Sequence, residues 1–365
     1  MHSTAQHSTA QHSTAQHSTA QHTHSTRIEY IDALRGFTML LVVMTHVSGF
    51  VLGSDGEANY HYYIRQFRMP LFFFVSGFVF YKNCLKWNLS NTTRFLKKKI
   101  NVQIITPFIF LLCYVHTKEI ALIDSLKDVY KSGYWFTFTL FNYFILYILS
   151  QKIFDLFKIG DIWRFTLLIL SGISLYNHFP INILYRMGYS TEISLLGLTQ
   201  LKYFIYFIIG CLTKKHFRLF ENSIDKTPLI IIAIALYFLI NIFVDINELN
   251  RYTQNNITLL LGLCGITIVF SLFRKHQATF SSNNRISNLL KIIGSRTLDI
   301  YLIHYFFIPF NLYEAFPLFV ENDIPIIEFA TTLAITTLIV AASLAISSIL
   351  RINNTMAHYL FGAKK

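Results

Sequence analysis

Arg35 and His46 stand eleven residues apart in the stretch RGFTMLLVVMTH, separated by mostly apolar residues. On a helix that separation is about three turns plus ~20°, so both side chains project from one face, ~16 Å apart along the axis. A guanidinium recognises anions such as phosphate through charge-assisted hydrogen bonds. An imidazole exchanges protons near neutral pH and serves as a general base. Asp32, one turn before Arg35, is placed to orient or neutralise it. Taken alone, Arg35 reads equally well as an anchor that snorkels to a membrane interface. His46, set inside an apolar run, reads as a functional group, with a hydrogen-bonded structural histidine as the alternative.

Two further clusters share this character. In RQFRMPLFFFVSGF, Arg65 and Arg68 lie one turn apart, Pro70 falls early enough in an expected helix to be tolerated, and Ser76 with Gly77 permits close helix approach. A pair of boundary anchors would look the same. In SRTLDIYLIHYFFIPF, Asp299, Tyr301 and His304 fall within six residues. Tyr301 and His304 are neighbours on a helix face, whereas His304 is rotated about 140° from Asp299. Three polar clusters at different depths point to a polar path through a bundle.

The elements that must position these groups are helices in a membrane. Of 365 residues, 53% are hydrophobic and only 14% are charged, an integral membrane composition. Apolar blocks near the length of a hydrocarbon core predict ten spans, at 36–52, 67–81, 100–116, 134–150, 162–178, 194–213, 228–244, 257–273, 297–313 and 327–349. The expected fold class is therefore all-α, a polytopic membrane helical bundle. Lys and Arg concentrate in alternate connections, at 82–99, 214–226 and 274–296, and again after residue 350. The connection holding Glu314, Glu321 and Asp323 has no basic residue. By the positive-inside rule both termini are expected in the cytoplasm, with the chain multi-pass. The net charge of +12 thus reads as topology, and nucleic acid is not an expected partner. Cys84, Cys113, Cys211 and Cys264 are widely spaced without a CxxC pair, so neither a disulfide framework nor a metal site is expected.

Residues 1–26 form a separate polar tail, Met1 followed by four copies of HSTAQ and then HTHST, expected to be disordered ahead of a transmembrane domain at 27–365. The codons CAC, AGC, ACA, GCA and CAG spell His, Ser, Thr, Ala, Gln and join into CACAG written three times. A pentanucleotide array shifts the reading frame when one unit is gained or lost. The tail therefore predicts phase variation, with a neutral low-complexity segment as the alternative.

RIEYIDALRGFTMLLVVMTH at 27–46, FRMPLFFFVSGF at 67–78, YWFTFTLFNYF at 134–144 and TLDIYLIH at 297–304 together resemble the membrane-bound acyltransferase-3 family, in particular its fucose 4-O-acetylase-like and enterobacterial-common-antigen acetyltransferase branch. The resemblance implies transfer of an acetyl group from cytoplasmic acetyl-CoA to a sugar hydroxyl of a surface glycan, such as lipopolysaccharide or capsule, or of its lipid-linked precursor. By position it implies His46 as the catalytic histidine and Arg35 as its partner. Asp32, Arg65, Arg68, Ser76, Asp299, Tyr301 and His304 are candidate substrate-binding residues. Arg35 and the loop lysines Lys97, Lys98 and Lys99 are placed to hold the anionic donor. A base mechanism and a covalent acyl-histidine both fit this set. The competing reading is a transporter or flippase for lipid-linked sugars, in which the same groups gate or relay protons.

Overall fold

The computed structural model describes residues 28–51, 59–82, 87–309 and 325–362. The repeat tail, Cys84 and the acidic connection around Glu314 to Asp323 lie outside the described residues. Every described element is helical, and no strand occurs among the described residues.

Helix α1 (Glu29–Val51) opens with Glu29 and Asp32 in its first turn, where carboxylates favour the positive end of the helix dipole. Helix α2 (Asn59–Phe80) begins earlier than the apolar block alone indicates, so Pro70 sits in its interior and not near its start. The helix continues through Pro70 although the ring removes one ladder donor. Helix α3 (Leu89–Ile100) is capped by Asn88, whose side chain accepts the Asn91 N–H. It passes through a π-helical turn at Asn101–Ile105 into α4 (Thr106–Thr117). After α5 (Leu122–Lys127) come α6 (Trp135–Leu156) and α7 (Asp161–Tyr176), the latter bent by 46° against α8 (Phe179–Arg186).

The block expected at 194–213 is broken. α9 (Ser190–Leu195) ends before Gly197, which takes φ +68°, and a 3₁₀ stretch (Leu198–Tyr203) leads into α10 (Phe204–Lys215). α11 (Phe217–Ile224) and α12 (Thr227–Phe243) meet at 73°. α13 (Arg251–Lys275), α14 (Gln277–Ser281) and α15 (Arg285–Ser295) follow. α16 (Thr297–Ile303) tightens into a 3₁₀ turn (His304–Phe307), and α17 (Pro325–Leu350) and α18 (Asn354–Phe361) complete the described chain.

Among the described residues four helical segments are long and apolar enough to cross a membrane, namely Glu29–Val51, Leu89–Thr117, Arg251–Lys275 and Pro325–Leu350. The count rises to six if each bent pair, α7 with α8 and α11 with α12, is one span. The other apolar blocks also form helices, but these are shorter or carry more polar and aromatic side chains.

Two close crossings fix the helices that matter for the site. A Cβ on Gly36 of α1 would stand 2.0 Å from the Leu290 carbonyl oxygen, and one on Gly294 of α15 would stand 1.8 Å from that of Asp32. Small residues let backbones meet this way in membrane bundles, so α1 is held tightly one residue from Arg35. Gly77 of α2 and Gly210 of α10 make a second reciprocal crossing, each facing a backbone carbonyl at 2.0 Å. Between these pairs lies an aromatic core in which the Phe73 ring packs on Phe136, Tyr143 and Tyr203.

Candidate active site

Arg35 and His46 both reach the segment that runs from Thr297 to His304. The Arg35 guanidinium donates to Thr297 Oγ1 at 3.1 Å and pairs with Asp32 at 3.4 Å. One helical face later, His46 Nδ1 lies 3.0 Å from His304 Nε2, the two rings nearly parallel at 7°. The shared face read from spacing thus meets one neighbouring segment at both of its ends.

The hydrogen bonds of the histidine pair assign its protons. His304 is wholly buried, and its Nδ1 lies 2.9 Å from the Ile300 carbonyl oxygen. A carbonyl only accepts, so His304 Nδ1 carries the hydrogen and, in the neutral ring, Nε2 is a lone pair. His46 Nδ1 must then donate to it. That leaves His46 Nε2 as the basic nitrogen, 3.4 Å from the Tyr305 hydroxyl.

A turn between α5 and α6 holds this segment from the far side. Tyr301 donates its hydroxyl hydrogen to the Gly133 carbonyl at 2.8 Å and accepts the Phe136 N–H at 3.1 Å. Tyr134 donates to the Leu302 carbonyl at 3.0 Å, and the Tyr305 hydroxyl is 3.3 Å from the Gly133 carbonyl. The turn is strained, with φ of +48° at Lys131, +48° at Ser132 and +101° at Gly133. Such conformations persist only where surrounding contacts impose them. Here the Lys131 ammonium, 1% exposed, donates to the carbonyls of Leu126 (2.9 Å) and Ser194 (2.8 Å). Burial pushes the Lys131 amine down to about 8.

His46 lines a cavity of about 820 Å³ together with Arg65, Arg68, Trp135, Tyr203 and Tyr305, a volume within the ~300–1,000 Å³ common for ligand sites. α1 contributes Val42, His46 and Phe50, from its second half, while α2 contributes residues from Tyr62 to Phe72 and α13 contributes Gln254 and Thr258 near its start. The cavity therefore occupies one end of the bundle, and Arg35 lies toward the other.

The remaining candidates divide by position. Arg65, Arg68 and Tyr301 line the cavity with His46, whereas Asp32, Arg35, Ser76, Asp299, His304 and Lys97 to Lys99 do not. His304 faces His46. Ser76 is bonded to the Phe72 carbonyl of its own helix at 2.8 Å. The Asp299 carboxylate, 1% exposed, is taken by Arg351 at 2.7 and 2.9 Å and by the Ser347 hydroxyl, a structural tie from α16 to α17. Lys97 and Lys98 are exposed, and the Lys99 ammonium sits 4.9 Å from the centre of the Phe144 ring. Among the described residues no group of His, Cys, Asp and Glu is arranged to hold a metal ion.

Spacing did not single out Tyr305, Thr297 or the Lys131–Gly133 turn. A signal existed only for the last, in the small residues of KSG directly before the quoted YWF. The Lys202 amine, also in the cavity wall, comes from the 3₁₀ stretch that breaks an apparently continuous apolar block.

Fold and site together define a helical membrane-type protein with a cavity, part polar and part aromatic, built onto a histidine pair. The acyltransferase-3 family, described as an acyltransferase domain, matches residues 28–352, and the chain belongs to this family. It is an acyltransferase by that membership. No curated protein and no solved structure matches the chain.

Proposed function

We propose that this chain is a multi-pass O-acetyltransferase of a bacterial inner membrane, moving an acetyl group from cytoplasmic acetyl-CoA to a sugar hydroxyl of a surface polysaccharide or its lipid-linked precursor. The observation that carries the reading is the contact of His46 Nδ1 with His304 at 3.0 Å, which leaves His46 Nε2 as the free base on a residue lining a cavity large enough for a saccharide.

In this mechanism the acceptor hydroxyl gives its proton to His46 Nε2 as its oxygen forms a bond to the thioester carbonyl carbon. The carbon–sulfur bond breaks, and the CoA thiolate leaves with the proton that His46 Nε2 took from the acceptor, which restores the neutral base. The Nδ1–H of His46 stays on His304 throughout, so the positive charge that develops on the ring is shared along the chain ending at Ile300.

The topology follows the same logic. The cavity lies at the end of the bundle where α1 finishes and α2 and α13 begin. The Lys- and Arg-rich connections follow α2 and α13, at the opposite end, beside Arg35. With ten spans and both termini in the cytoplasm, Arg35, Lys97, Lys98 and Lys99 meet the anionic donor on the inner side, and the acceptor enters from the outer side. The HSTAQ tail supports phase-variable expression through a CACAG array. Sequencing the tract decides that point, because mixed synonymous codons are incompatible with it.

Membranes containing the protein are expected to transfer label from acetyl-CoA to glycan, and His46→Ala is expected to abolish transfer while leaving insertion intact. A transporter would move lipid-linked sugar without labelling it, and substantial transfer by His46→Ala would overturn the base assignment.

A further inference from the structure

Among the described residues the Tyr305 hydroxyl is the polar group that reaches His46 Nε2, at 3.4 Å, and proton transfer through His46 gives it no part. Its other contact is the Gly133 carbonyl at 3.3 Å, an oxygen that already accepts the Tyr301 hydroxyl at 2.8 Å. Hydroxyl hydrogen bonds usually span about 2.5–3.0 Å, so both contacts of Tyr305 are long and neither holds its hydrogen firmly. The residue is 3% exposed and lines the cavity. A buried hydroxyl with only long bonds is a donor short of an acceptor, and a ligand can complete it.

The ring that carries this hydroxyl is held by its neighbours. Its centre lies 4.0 Å from that of His304, 5.1 Å from that of His46 and 5.5 Å from that of Tyr134. A Cβ on Gly133 would stand 2.2 Å from Tyr305 Cζ, so the phenol fills the space that the glycine leaves open. The donor is thus fixed in place before any substrate arrives, the condition under which a dipole stabilises developing charge without reorganising. An acceptor hydroxyl that gives its proton to His46 Nε2 must sit about 2.7–2.9 Å from it and take up its lone pair. Tyr305 can then no longer donate there. The thioester carbon bonds to that acceptor oxygen, and the carbonyl oxygen lies one bond further, within reach of a hydroxyl placed 3.4 Å from Nε2. A phenol, with an ordinary pKa of about 10, keeps its hydrogen at neutral pH and serves as a donor and not as a second base.

We infer that Tyr305 is a second catalytic residue, whose hydroxyl donates to the thioester carbonyl oxygen as negative charge develops on it. The inference rests on the acetyltransferase reading and adds to it the group that stabilises the tetrahedral intermediate. As the acceptor oxygen bonds to the carbonyl carbon, the carbonyl electron pair moves onto its oxygen, which accepts the Tyr305 O–H without taking the proton. When that pair returns, the carbon–sulfur bond breaks, and the thiolate leaves with the proton held by His46. Tyr305 ends the cycle as it began.

Label transfer in membranes carrying Tyr305→Phe, normalised to inserted protein, gives the first test. Its kcat is expected to fall roughly 100- to 1,000-fold, the usual effect of removing one oxyanion donor. KM for acetyl-CoA should change by less than about threefold, because the bond is weak in the bound donor and strong in the transition state. Phenylalanine keeps the ring on His304 and Gly133, so the melting profile in detergent should stay near the parent's. A purely structural role would leave the thioester untouched, and infrared spectra of carbonyl-13C acetyl-CoA read that difference. The donor is bound to full-length protein bearing His46→Ala, so that it is not consumed. Its carbonyl band is expected at lower wavenumber when Tyr305 is present than when Tyr305→Phe is added. Incorporating 3-fluorotyrosine at position 305, a stronger donor of nearly the same shape, should lower the band further. An undiminished kcat in Tyr305→Phe, a loss carried wholly by KM, or a band that moves in neither variant overturns the inference while leaving the acetyltransferase reading in place. A parent protein that transfers no acetyl group removes that reading, and the inference with it.

Discussion

His304→Leu tests the proton assignment most directly. The substitution removes the acceptor that His304 offers His46 Nδ1–H, the one seen among the described residues, and replaces it with a side chain of similar bulk. His46 then either keeps a buried, unpaired N–H or moves its hydrogen to Nε2, the nitrogen needed as a base. An unsatisfied buried donor costs about 1–3 kcal/mol. If the productive tautomer is disfavoured by that amount, the population of competent enzyme, and with it kcat, falls roughly 5- to 150-fold. KM for acetyl-CoA should stay near its starting value, because His304 is wholly buried behind His46 and outside the cavity wall. His304→Gln supplies a side-chain carbonyl that can accept from Nδ1–H, so it should recover part of the lost kcat. The assay is label transfer from acetyl-CoA to glycan in membranes, normalised to inserted protein. A leucine variant with undiminished kcat, or a glutamine variant no better than leucine at equal insertion, would refute the positioning role of His304.

Gly36→Ala should lower thermal stability in detergent by about 1–3 kcal/mol, the usual effect of overpacking, because the new methyl meets the Leu290 carbonyl at 2.0 Å; a thermal-shift profile unchanged from the parent would mean that α1 and α15 separate freely. Gly133→Ala should reduce acetyl transfer more than it reduces insertion, since its Cβ would stand 2.2 Å from the Tyr305 ring at a φ of +101° that disfavours alanine. Stability should rise with pH between about 8 and 10.5, the interval between the amine of folded Lys131 and its ordinary value. There the unfolded chain binds more protons than the folded one, so unfolding is increasingly disfavoured as pH climbs. Lys131→Met should flatten that part of the pH–stability curve, and an equally steep rise in the variant would assign it to another group.

Helical character and the alignment of Arg35 with His46 were legible because both depend on local periodicity, apolar blocks for one and an eleven-residue interval for the other. The breaks were less legible. Gly197 and the 3₁₀ stretch after it interrupt a block that carries Thr199, Gln200 and Lys202 among its apolar residues, and the average hydropathy of the block conceals that polar break. Pro70 looked like an early helix residue because polar residues such as His61, Arg65 and Gln66 precede the apolar run, yet α2 starts at Asn59 and includes them. Asp299, Tyr301 and His304 read as one polar cluster, but their partners are far along the chain. Arg351, Gly133 and His46 separate them into a structural ion pair, a tyrosine clamp and a histidine pair. Non-local contacts of this kind leave no mark on spacing.

The positions of Arg35 and His46 also constrain the order of events. Arg35 is tied to Asp32 and Thr297 at the end of the bundle opposite the cavity, while His46 lines the cavity itself. The helical interval between them is ~16 Å. If Arg35 and the nearby lysines hold the phosphates of a donor, its thioester must cross that interval to meet an acceptor in the cavity. The chain at the far end of the interval is the 3₁₀ turn from His304 to Phe307, a tighter and less regular segment than α16 before it. The same turn carries His304 and Tyr305, whose polar atoms face the two ring nitrogens of His46. A shift of this turn would therefore change the orientation of the base, because its side chains hold both ring nitrogens of His46.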